Sequence, residues 1–329
     1  MTMVRGVPEL TQRKVETVFT LPDQPQLSVI IASYNSGGLL VDCLISLENQ
    51  RNNKVFEIIV VDSSTNGLAQ WIRVRFPKVK FYQFPERKFC GDARNFGISI
   101  ASGEIIAFID ADCRADENWV DRILKAHQSP SLALGGAIAN GNPESLIGWA
   151  AYFCELSRWM PGFPPRNMSD ITGGNSSYKR KAFEKYGLFI EGTYSSDTEF
   201  HWRLRREGHF LKFIPSILTF HHNIDRIEKF LGHEFEHGRF FARVRVKNQK
   251  FSKLRRWFYV TFSFLIPEWL FLKIGLRNFK NRIYFRHFLK TWPLLILGLI
   301  AWSLGECVGY LVGPLSPRRE TSFSNGEIN

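Results

Sequence analysis

Short apolar runs alternate with helix-like segments in the first third of the chain. The apolar runs are nearly continuous in Val, Ile and Phe, as in strands buried on both faces of a sheet, and cover residues 27–33, 55–61, 79–84 and 104–109. Segments with helical spacing lie between them, at 38–50, 68–76 and 92–101. This alternation, with short connections, predicts an α/β fold with a doubly wound, mostly parallel sheet.

The pattern changes beyond residue 130. Gly, Asn and Pro at 135–143 predict a turn, and helical spacing returns at 196–207 and 226–247. Two apolar stretches, at 257–276 and 292–313, then approach the length of a membrane span. The chain is therefore divided into an N-terminal extension (1–25), a catalytic α/β domain (26–225), a basic amphipathic helical linker (226–256), a helical membrane-associated region (257–315) and a polar tail (316–329).

The net charge of +12 is concentrated near the apolar stretches. Residues 201–290 contain 20 Lys and Arg against 6 Asp and Glu, so the rest of the chain is slightly acidic. Such a segment suits either nucleic acid or the anionic cytoplasmic leaflet of a membrane. Because it leads into and lies between the two apolar stretches, the sequence favours a membrane partner and no nucleic acid.

The stretch at 257–276 contains Pro267, Glu268 and Lys273, which are costly in hydrocarbon, so only 292–313 is expected to cross the bilayer. A monotopic anchor, with both stretches flat in the interface, is the alternative. No secretory signal is visible near the N-terminus, and five scattered Cys without a CxxC pair favour a reducing compartment. The catalytic domain is therefore expected in the cytoplasm, at the inner (plasma) membrane.

Polar residues follow the predicted strands. They are Tyr34 and Asn35 after the first strand, Asp62 at the end of the second, and Asp110, Ala111 and Asp112 after the fourth. In open α/β sheets, ligands bind at the carboxyl ends of the strands. Two carboxylates spaced i, i+2 at such an end can share a divalent cation, Mg²⁺ or Mn²⁺, whose shell phosphate oxygens complete. The alternative is a loop Asp pair that caps the next helix.

Six short motifs follow one another in a fixed order. They are LSVIIASYN at 27–35, DSSTNG at 62–67, GDARNFG at 91–97, ASGEIIAFIDAD at 101–112, TGGNSSYKR at 172–180 and SDTEFHWRLRREG at 196–208. Together they make the chain, over about residues 27–225, resemble the family 2 glycosyltransferases of the GT-A fold. The resemblance implies an inverting transfer of sugar from a nucleotide-diphosphate-sugar to an acceptor hydroxyl. A glycan or lipid-linked acceptor, in cell-surface polysaccharide or glycolipid synthesis, is suggested by the expected membrane proximity.

The resemblance also implies roles for single residues: Asp62 contacts the nucleobase, and Asp110 and Asp112 serve the ribose and the metal-bound diphosphate. The implied nucleotide-sugar-binding set is Tyr34, Asn35, Asp62, Arg94, Asn95, Asp110, Ala111, Asp112, Gly174 and Asn175. The implied metal ligands are Asp112 and one of the pair His221-His222, taken as His222. The chain departs from the family pattern at Asn66, where members often have Asp, and at Ser196, where they often have Glu.

Asp197 is the expected general base. An acceptor hydroxyl loses its proton as it attacks the anomeric carbon, and a positioned carboxylate can accept that proton. The alternative is a helix N-cap, because Ser196 and Asp197 open a helical run. One Asp can cap a helix and also act as a base. The surrounding motif favours the catalytic role.

Three other functions are less well supported. Residues 233–237 spell HEFEH, an HExxH pattern that could bind zinc on a helix, but no residue downstream fits as the third ligand of a zinc protease. This segment is therefore interpreted as part of a charged interfacial helix. A nucleotidyltransferase of similar fold would need a basic loop after the first strand, and 32–38 has no Lys or Arg. An inactive scaffold of a polysaccharide export complex would not need Asp110, Asp112 and Asp197.

Overall fold

The computed structural model describes residues 24–51, 55–65 and 67–315. The predicted polar tail, nearly all of the predicted N-terminal extension, and Asn66 lie outside the described residues.

A nine-stranded mixed sheet forms the centre of the described chain. Its strands are β1 (Leu27–Ser33), β2 (Phe56–Asp62), β3 (Lys80–Gln83), β4 (Ile105–Ile109), β5 (Cys113–Ala115), β6 (Ala133–Asn140), β7 (Arg166–Met168), β8 (Asn175–Lys179) and β9 (Leu211–His221). The spatial order is β3-β2-β1-β4-β8-β6-β9-β5, with β7 paired to β9. Strands β1 to β4 are parallel, whereas β8 runs antiparallel to both β4 and β6. The predicted α/β class and mostly parallel sheet are confirmed.

Helices cover both faces of the sheet and continue beyond it. They are α1 (Gly38–Glu48), α2 (Leu68–Arg75), α3 (Cys90–Ile100), α4 (Trp119–Ala126), α5 (Leu146–Leu156), α6 (Arg180–Tyr186), α7 (Ser196–Arg206), α8 (Ile227–Asn248), α9 (Lys253–Thr261), α10 (Ile266–Asn281) and α11 (Phe285–Val312). Side chains of β1 alternate between two apolar cores: Val29 packs with α1 and α4 on one face, and Ile30 packs with α3, α6 and α7 on the other. Burial on both faces explains the continuous apolar runs of these strands.

The turn predicted at 135–143 is wrong over most of its length, because residues 133–140 form the fully buried strand β6. Its glycines serve close packing. A Cβ at Gly135 would lie 2.4 Å from Ile171, and one at Gly136 would lie 2.1 Å from the carbonyl oxygen of Ile217. In the sequence alone, such glycines cannot be distinguished from the glycines of turns.

The C-terminal helices pack against the sheet domain. Helix α11 is the one described helix that is long and apolar enough by itself to cross a membrane, and nearly half of its most apolar window is buried inside the protein. It lies along α8, where a Cβ on Gly305 would be 2.0 Å from the carbonyl oxygen of Phe235. Helices α9 and α10 meet at a 47° bend. The bend lies before Pro267, which stands in the first turn of α10. The predicted linker, 226–256, thus includes a helix, α8, that packs against α11.

Replacing Gly305 with Ala is expected to lower the free energy of unfolding by about 1–3 kcal/mol, the usual cost of overpacking. The matched control is Gly232→Ala on α8, where the added Cβ meets no atom within 4 Å. That control is expected to gain up to about 1 kcal/mol from helix propensity. Thermal unfolding of both variants tests the packing. Equal shifts in the melting temperature would contradict tight contact between α8 and α11.

Candidate active site

Two glycines allow the fourth strand, the third helix and the seventh helix to meet. Arg94 on α3 donates to Asp110 Oδ1 at the end of β4 over 2.8 Å. A Cβ on Gly174 would lie 2.3 Å from Asp110 Oδ2, and one on Gly173 would lie 2.4 Å from Arg94 and 2.8 Å from Asp197. Any larger residue at either position would push these charged groups apart.

Asp110 and Arg94 form a partly buried ion pair. The Arg94 side chain is 6% exposed, and that of Asp110 is 34% exposed. Burial opposes the charge on Arg94, but Asp110, Cys90 and Asp197 together outweigh burial and raise the pKa of Arg94. Because the guanidinium is buried behind the carboxylate, Arg94 holds Asp110 in place and leaves the open side of Asp110 for a ligand.

Asp197 lies in the first turn of α7. Its Oδ2 accepts from the backbone N–H of Gly173 over 2.9 Å, and its Oδ1 accepts from that of Thr198 over 2.8 Å. The N-terminus of a helix favours a negative charge. Ser195, with a positive φ of 58°, occupies the N-cap position, and Asp197 also satisfies a free N–H of the first turn through its bond to Thr198.

Asp112 faces His221. The Nε2 atom of His221 lies 3.4 Å from Asp112 Oδ1. Asn223 orients the imidazole: its amide nitrogen donates to Asn140, which leaves Asn223 Oδ1 to accept from His221 Nδ1 over 2.8 Å. In the neutral imidazole, Nε2 would then carry the lone pair, as in a metal-binding His held by a neighbouring acceptor.

Of the predicted pair, the structure brings the side chain of His221, and not that of His222, next to Asp112. The two residues are consecutive at the end of an extended strand, where successive side chains point to opposite faces. His222 meets Asp112 through its backbone, donating to the Asp112 carbonyl oxygen over 2.9 Å. The sequence shows two adjacent histidines, but the alignment of β5 with β9 determines which imidazole lies next to the carboxylate.

These side chains fit a hard divalent cation. Asp112 Oδ1 is buried and accepts no hydrogen bond within the described chain. Burial raises the pKa of the Asp112 carboxyl, His221 opposes that shift, and Asp110 adds to it. A bound cation would stabilise the charged form of the Asp112 carboxylate. Cys113 is also near, but burial raises the pKa of its thiol well above the ordinary value, so it stays protonated and is a poor ligand.

A second group of polar residues lies at the ends of β1 and β2. Both oxygens of Asp62 accept from Ser64, one from its hydroxyl over 2.6 Å and the other from its backbone N–H over 3.1 Å. Ser64 also accepts from the backbone of Asn35, which has a positive φ of 54°. The half-exposed ring of Tyr34 lies under Arg87, 4.7 Å from its guanidinium carbon. Sequence reasoning missed Arg87, which contacts Tyr34 only in the folded chain.

Two residues of the predicted nucleotide-sugar set have structural roles instead. The Asn95 amide is fully engaged, bonding both backbone groups of Phe189 and the carboxylate of Glu191. The Asn175 amide accepts from Trp119 and donates to two carbonyl oxygens of neighbouring strands. Ala111 is buried, so only its backbone borders the site.

The HEFEH segment lies on α8 and faces Glu155 of α5. Ligand atoms of Glu155, His233 and His237 all lie within 4.8 Å of one another. The third residue sought downstream thus comes from upstream, and all three side chains are half-buried. In a zinc protease, the Glu at the position of Glu234 would act as the base. Here Glu234 is 1% exposed, and burial and Glu155 raise its pKa well above the ordinary value. A protonated Glu234 that hydrogen-bonds Glu155 is not placed to activate water.

Comparison with known proteins defines the class. A mannosyltransferase from Pyrobaculum calidifontis, solved with GDP-Man and Mn²⁺, superposes with a TM-score of 0.59 over 86% of this chain and 87% of its own, at 16% identity. The chain therefore has the GT-A fold. Residues 28–187 match the model of Glycosyl transferase family 2, and this segment belongs to that family.

Two curated relatives are named as glycosyltransferases. The uncharacterized glycosyltransferase YfnE of Bacillus subtilis is 33% identical over 186 residues, covering 53% of this chain and 44% of that protein. Glycosyltransferase AglE of Haloferax volcanii is 32% identical over 103 residues, covering 30% and 34% respectively. The matches span less than half the length of these relatives.

Asp112→Asn is expected to weaken Mn²⁺ binding by at least about tenfold, because it removes a charged oxygen ligand of a hard cation. The matched control is Asp121→Asn on the exposed face of α4, where the carboxylate pairs only with Lys125. Mn²⁺ titration by electron paramagnetic resonance gives both affinities. Equal affinities for the two variants would remove Asp112 from the metal site.

Proposed function

We propose that this chain transfers a sugar from a nucleotide-diphosphate-sugar to an acceptor hydroxyl, with inversion at the anomeric carbon. The observation that carries the proposal is the meeting of Asp110, Arg94 and Asp197 around Gly173 and Gly174. Asp110 and Asp112 thus lie at the carboxyl ends of the strands, where ligands bind in such sheets. Asp197 lies on the other side of the two glycines.

The donor is proposed to lie along the carboxyl edge of the sheet. Asp62 and the Tyr34–Asn35 turn border the nucleobase end, and Asp110 borders the ribose. Asp112 and His221 would hold the divalent cation, Mn²⁺ or Mg²⁺, which when bound neutralises the diphosphate as it departs. Gly173 and Gly174, without side chains, leave room for the sugar.

Asp197 is proposed as the general base. The acceptor oxygen forms a bond to the anomeric carbon as the bond from that carbon to the diphosphate oxygen breaks, and the diphosphate leaves with the electron pair. The acceptor proton moves to Asp197. Two backbone N–H groups fix the orientation of this carboxylate, so little rearrangement is needed.

Membrane attachment is proposed through the C-terminal helices. Of the 26 large hydrophobic side chains exposed in the described chain, 18 lie between Leu254 and Val312. Exposed cations border them: Lys253, Arg255, Lys273, Lys280, Arg282, Arg286 and Lys290. A wide apolar surface with a cationic border fits an anionic membrane. We call it the membrane surface.

Helix α11 is proposed to lie in the interface rather than to cross the bilayer. It contacts α8 from Gly298, against Phe230, to Gly309, against the carbonyl oxygen of Arg239. A crossing α11 would carry this charged neighbour into hydrocarbon, which is costly. The packing therefore favours the monotopic alternative over the single span. We propose that the enzyme works at the cytoplasmic face of the inner (plasma) membrane, in polysaccharide or glycolipid synthesis.

Asp197→Asn is expected to reduce the transfer rate by about a hundredfold or more, the usual scale for loss of a general base. Donor affinity should stay within about twofold, because the amide keeps the shape of the carboxylate. Single-turnover kinetics and donor titration measure the two effects. Asp121→Asn on α4 is the control that should change neither. Parallel losses of affinity and rate would show that Asp197 supports the site and does not act as the base.

Replacing Lys280, Arg282 and Arg286 with Gln is expected to release the protein from phosphatidylglycerol vesicles, since each cation near an anionic surface contributes about 1 kcal/mol. The control replaces three cations near the β3 edge of the sheet: Arg73, Arg75 and Lys78. Vesicle co-sedimentation compares the two triple variants. Undiminished retention of the first variant in high salt would contradict surface binding and support a spanning α11.

A further inference from the structure

A large cavity connects Asp197 with the C-terminal helices. Its volume is about 1200 Å³, and its inner end is bordered by Thr172, Ser195 and Asp197. From there it extends past Trp202 of α7 to the facing sides of α9 and α10. The cavity is therefore open to the proposed base at one end and to helices outside the sheet domain at the other.

The outer end of the cavity belongs to the membrane surface. Phe258, Phe262 and Trp269 line the cavity, and each is between 44% and 61% exposed. Leu265, between them in sequence, also lines the cavity and is half-exposed. An apolar chain embedded in a membrane could thus enter the cavity without crossing water.

Five Arg and Lys side chains line the cavity, together with five carboxylates, and three of these cations form one cluster: Arg158, Lys273 and Arg277. Arg158 forms an ion pair with Asp170. Lys273 and Arg277 form no ion pair with any described residue: Arg277 donates to Ser157 Oγ over 3.0 Å, and Lys273 lies over the ring of Trp269. The cluster therefore carries more positive charge than the protein compensates.

Arg277 shows the effect of that excess. Burial and then the nearby Arg158 and Arg166 lower the pKa of Arg277 to about 10. An anion bound among these side chains would reverse the repulsion. Guanidinium groups match the oxygens of phosphate in particular.

One short loop connects the cation cluster to the glycines beside Asp197. Asp170, which binds Arg158, is three residues before Gly173, whose N–H binds Asp197. A headgroup held by the cations can therefore extend along this loop toward the base.

We propose that the acceptor is a membrane lipid with a phosphate-containing headgroup that carries the acceptor hydroxyl. Its apolar chain lies among the aromatic side chains of α9 and α10, its phosphate contacts Arg158, Lys273 and Arg277, and its hydroxyl reaches Asp197. This inference rests on the proposed transfer reaction and specifies its acceptor. A soluble glycan would use neither the apolar mouth nor the uncompensated cations.

Binding of short probes to the full chain tests the proposal without a donor. The probes are decyl phosphate below its micelle concentration, decanol with the same chain and no charge, and inorganic phosphate. Calorimetry is expected to show that decyl phosphate binds at least about tenfold more tightly than either of the other two, because only it uses both the apolar and the cationic parts.

The variant Lys273→Gln with Arg277→Gln is expected to weaken decyl phosphate binding at least about tenfold, the loss of charge-assisted hydrogen bonds. The matched control is Arg73→Gln with Lys78→Gln, which removes the same charge from exposed positions outside both the cavity and the membrane surface and should not change this affinity. Trp269→Ala, at the exposed mouth, is a second variant that should weaken decyl phosphate more than inorganic phosphate. Melting temperatures verify that each variant is folded.

Three outcomes would overturn the proposal of a lipid acceptor. Equal binding of inorganic phosphate would indicate a site for free anions, and equal binding of decanol would indicate an apolar groove alone. Inhibition of sugar transfer by a soluble oligosaccharide, and not by decyl phosphate, would indicate a glycan acceptor. A chain that binds decyl phosphate as expected but transfers no sugar would contradict the proposed reaction and leave the lipid site standing.

Discussion

The close approach of backbone and charged side chains at Gly173 and Gly174 is the constraint on which the site depends. Three elements that are far apart in the chain, β4, α3 and α7, each place a charged group within van der Waals distance of these two positions. A methyl group at either one would occupy space held by Asp110, Arg94 or Asp197. The rest of the sheet domain, including the buried ion pair, brings these elements to this point.

The regular parts of the fold could be predicted from the sequence. Strands β1, β2 and β4 are nearly continuous apolar runs because both of their faces are buried, and the polar residues at their ends indicated the ligand-binding edge. The later strands could not be predicted in the same way. In β6 glycines pack against neighbouring residues, and in β8 the side chains of Asn175, Ser176 and Ser177 are buried and polar, so composition there suggests loops.

The same limit applies to the candidate site. Asp110, Asp112 and Asp197 are recognisable because their chemistry and their motif agree. Asn95 and Asn175 stand in motifs too, but their amides hold neighbouring segments together, which only tertiary contacts reveal. His221 and His222 are equivalent in the sequence, and strand pairing separates them. Glu155 approaches His233 from a helix almost eighty residues earlier in the chain, a contact for which local spacing gives no signal.

The C-terminal helices contribute to the site as well as to the membrane surface. Helix α8 lies between α7, which carries Asp197, and α11, which carries much of the exposed apolar surface. Small residues on α11 allow this tight packing, so the catalytic edge and the membrane surface are held in one arrangement. Attachment to a membrane would therefore position the cavity mouth relative to the lipid.

Thermal unfolding with a panel of nucleotide-sugars, in Mn²⁺ and in chelator, tests the central claim that this edge of the sheet binds a metal-dependent sugar donor. A ligand that binds only the folded chain stabilises it by about 2.7 kcal/mol at a hundred times its dissociation constant. The account predicts that at least one nucleotide-sugar raises the melting temperature by several degrees with Mn²⁺, and that chelator removes the shift. Stabilisation by no nucleotide-sugar, or equal stabilisation in chelator, would contradict it.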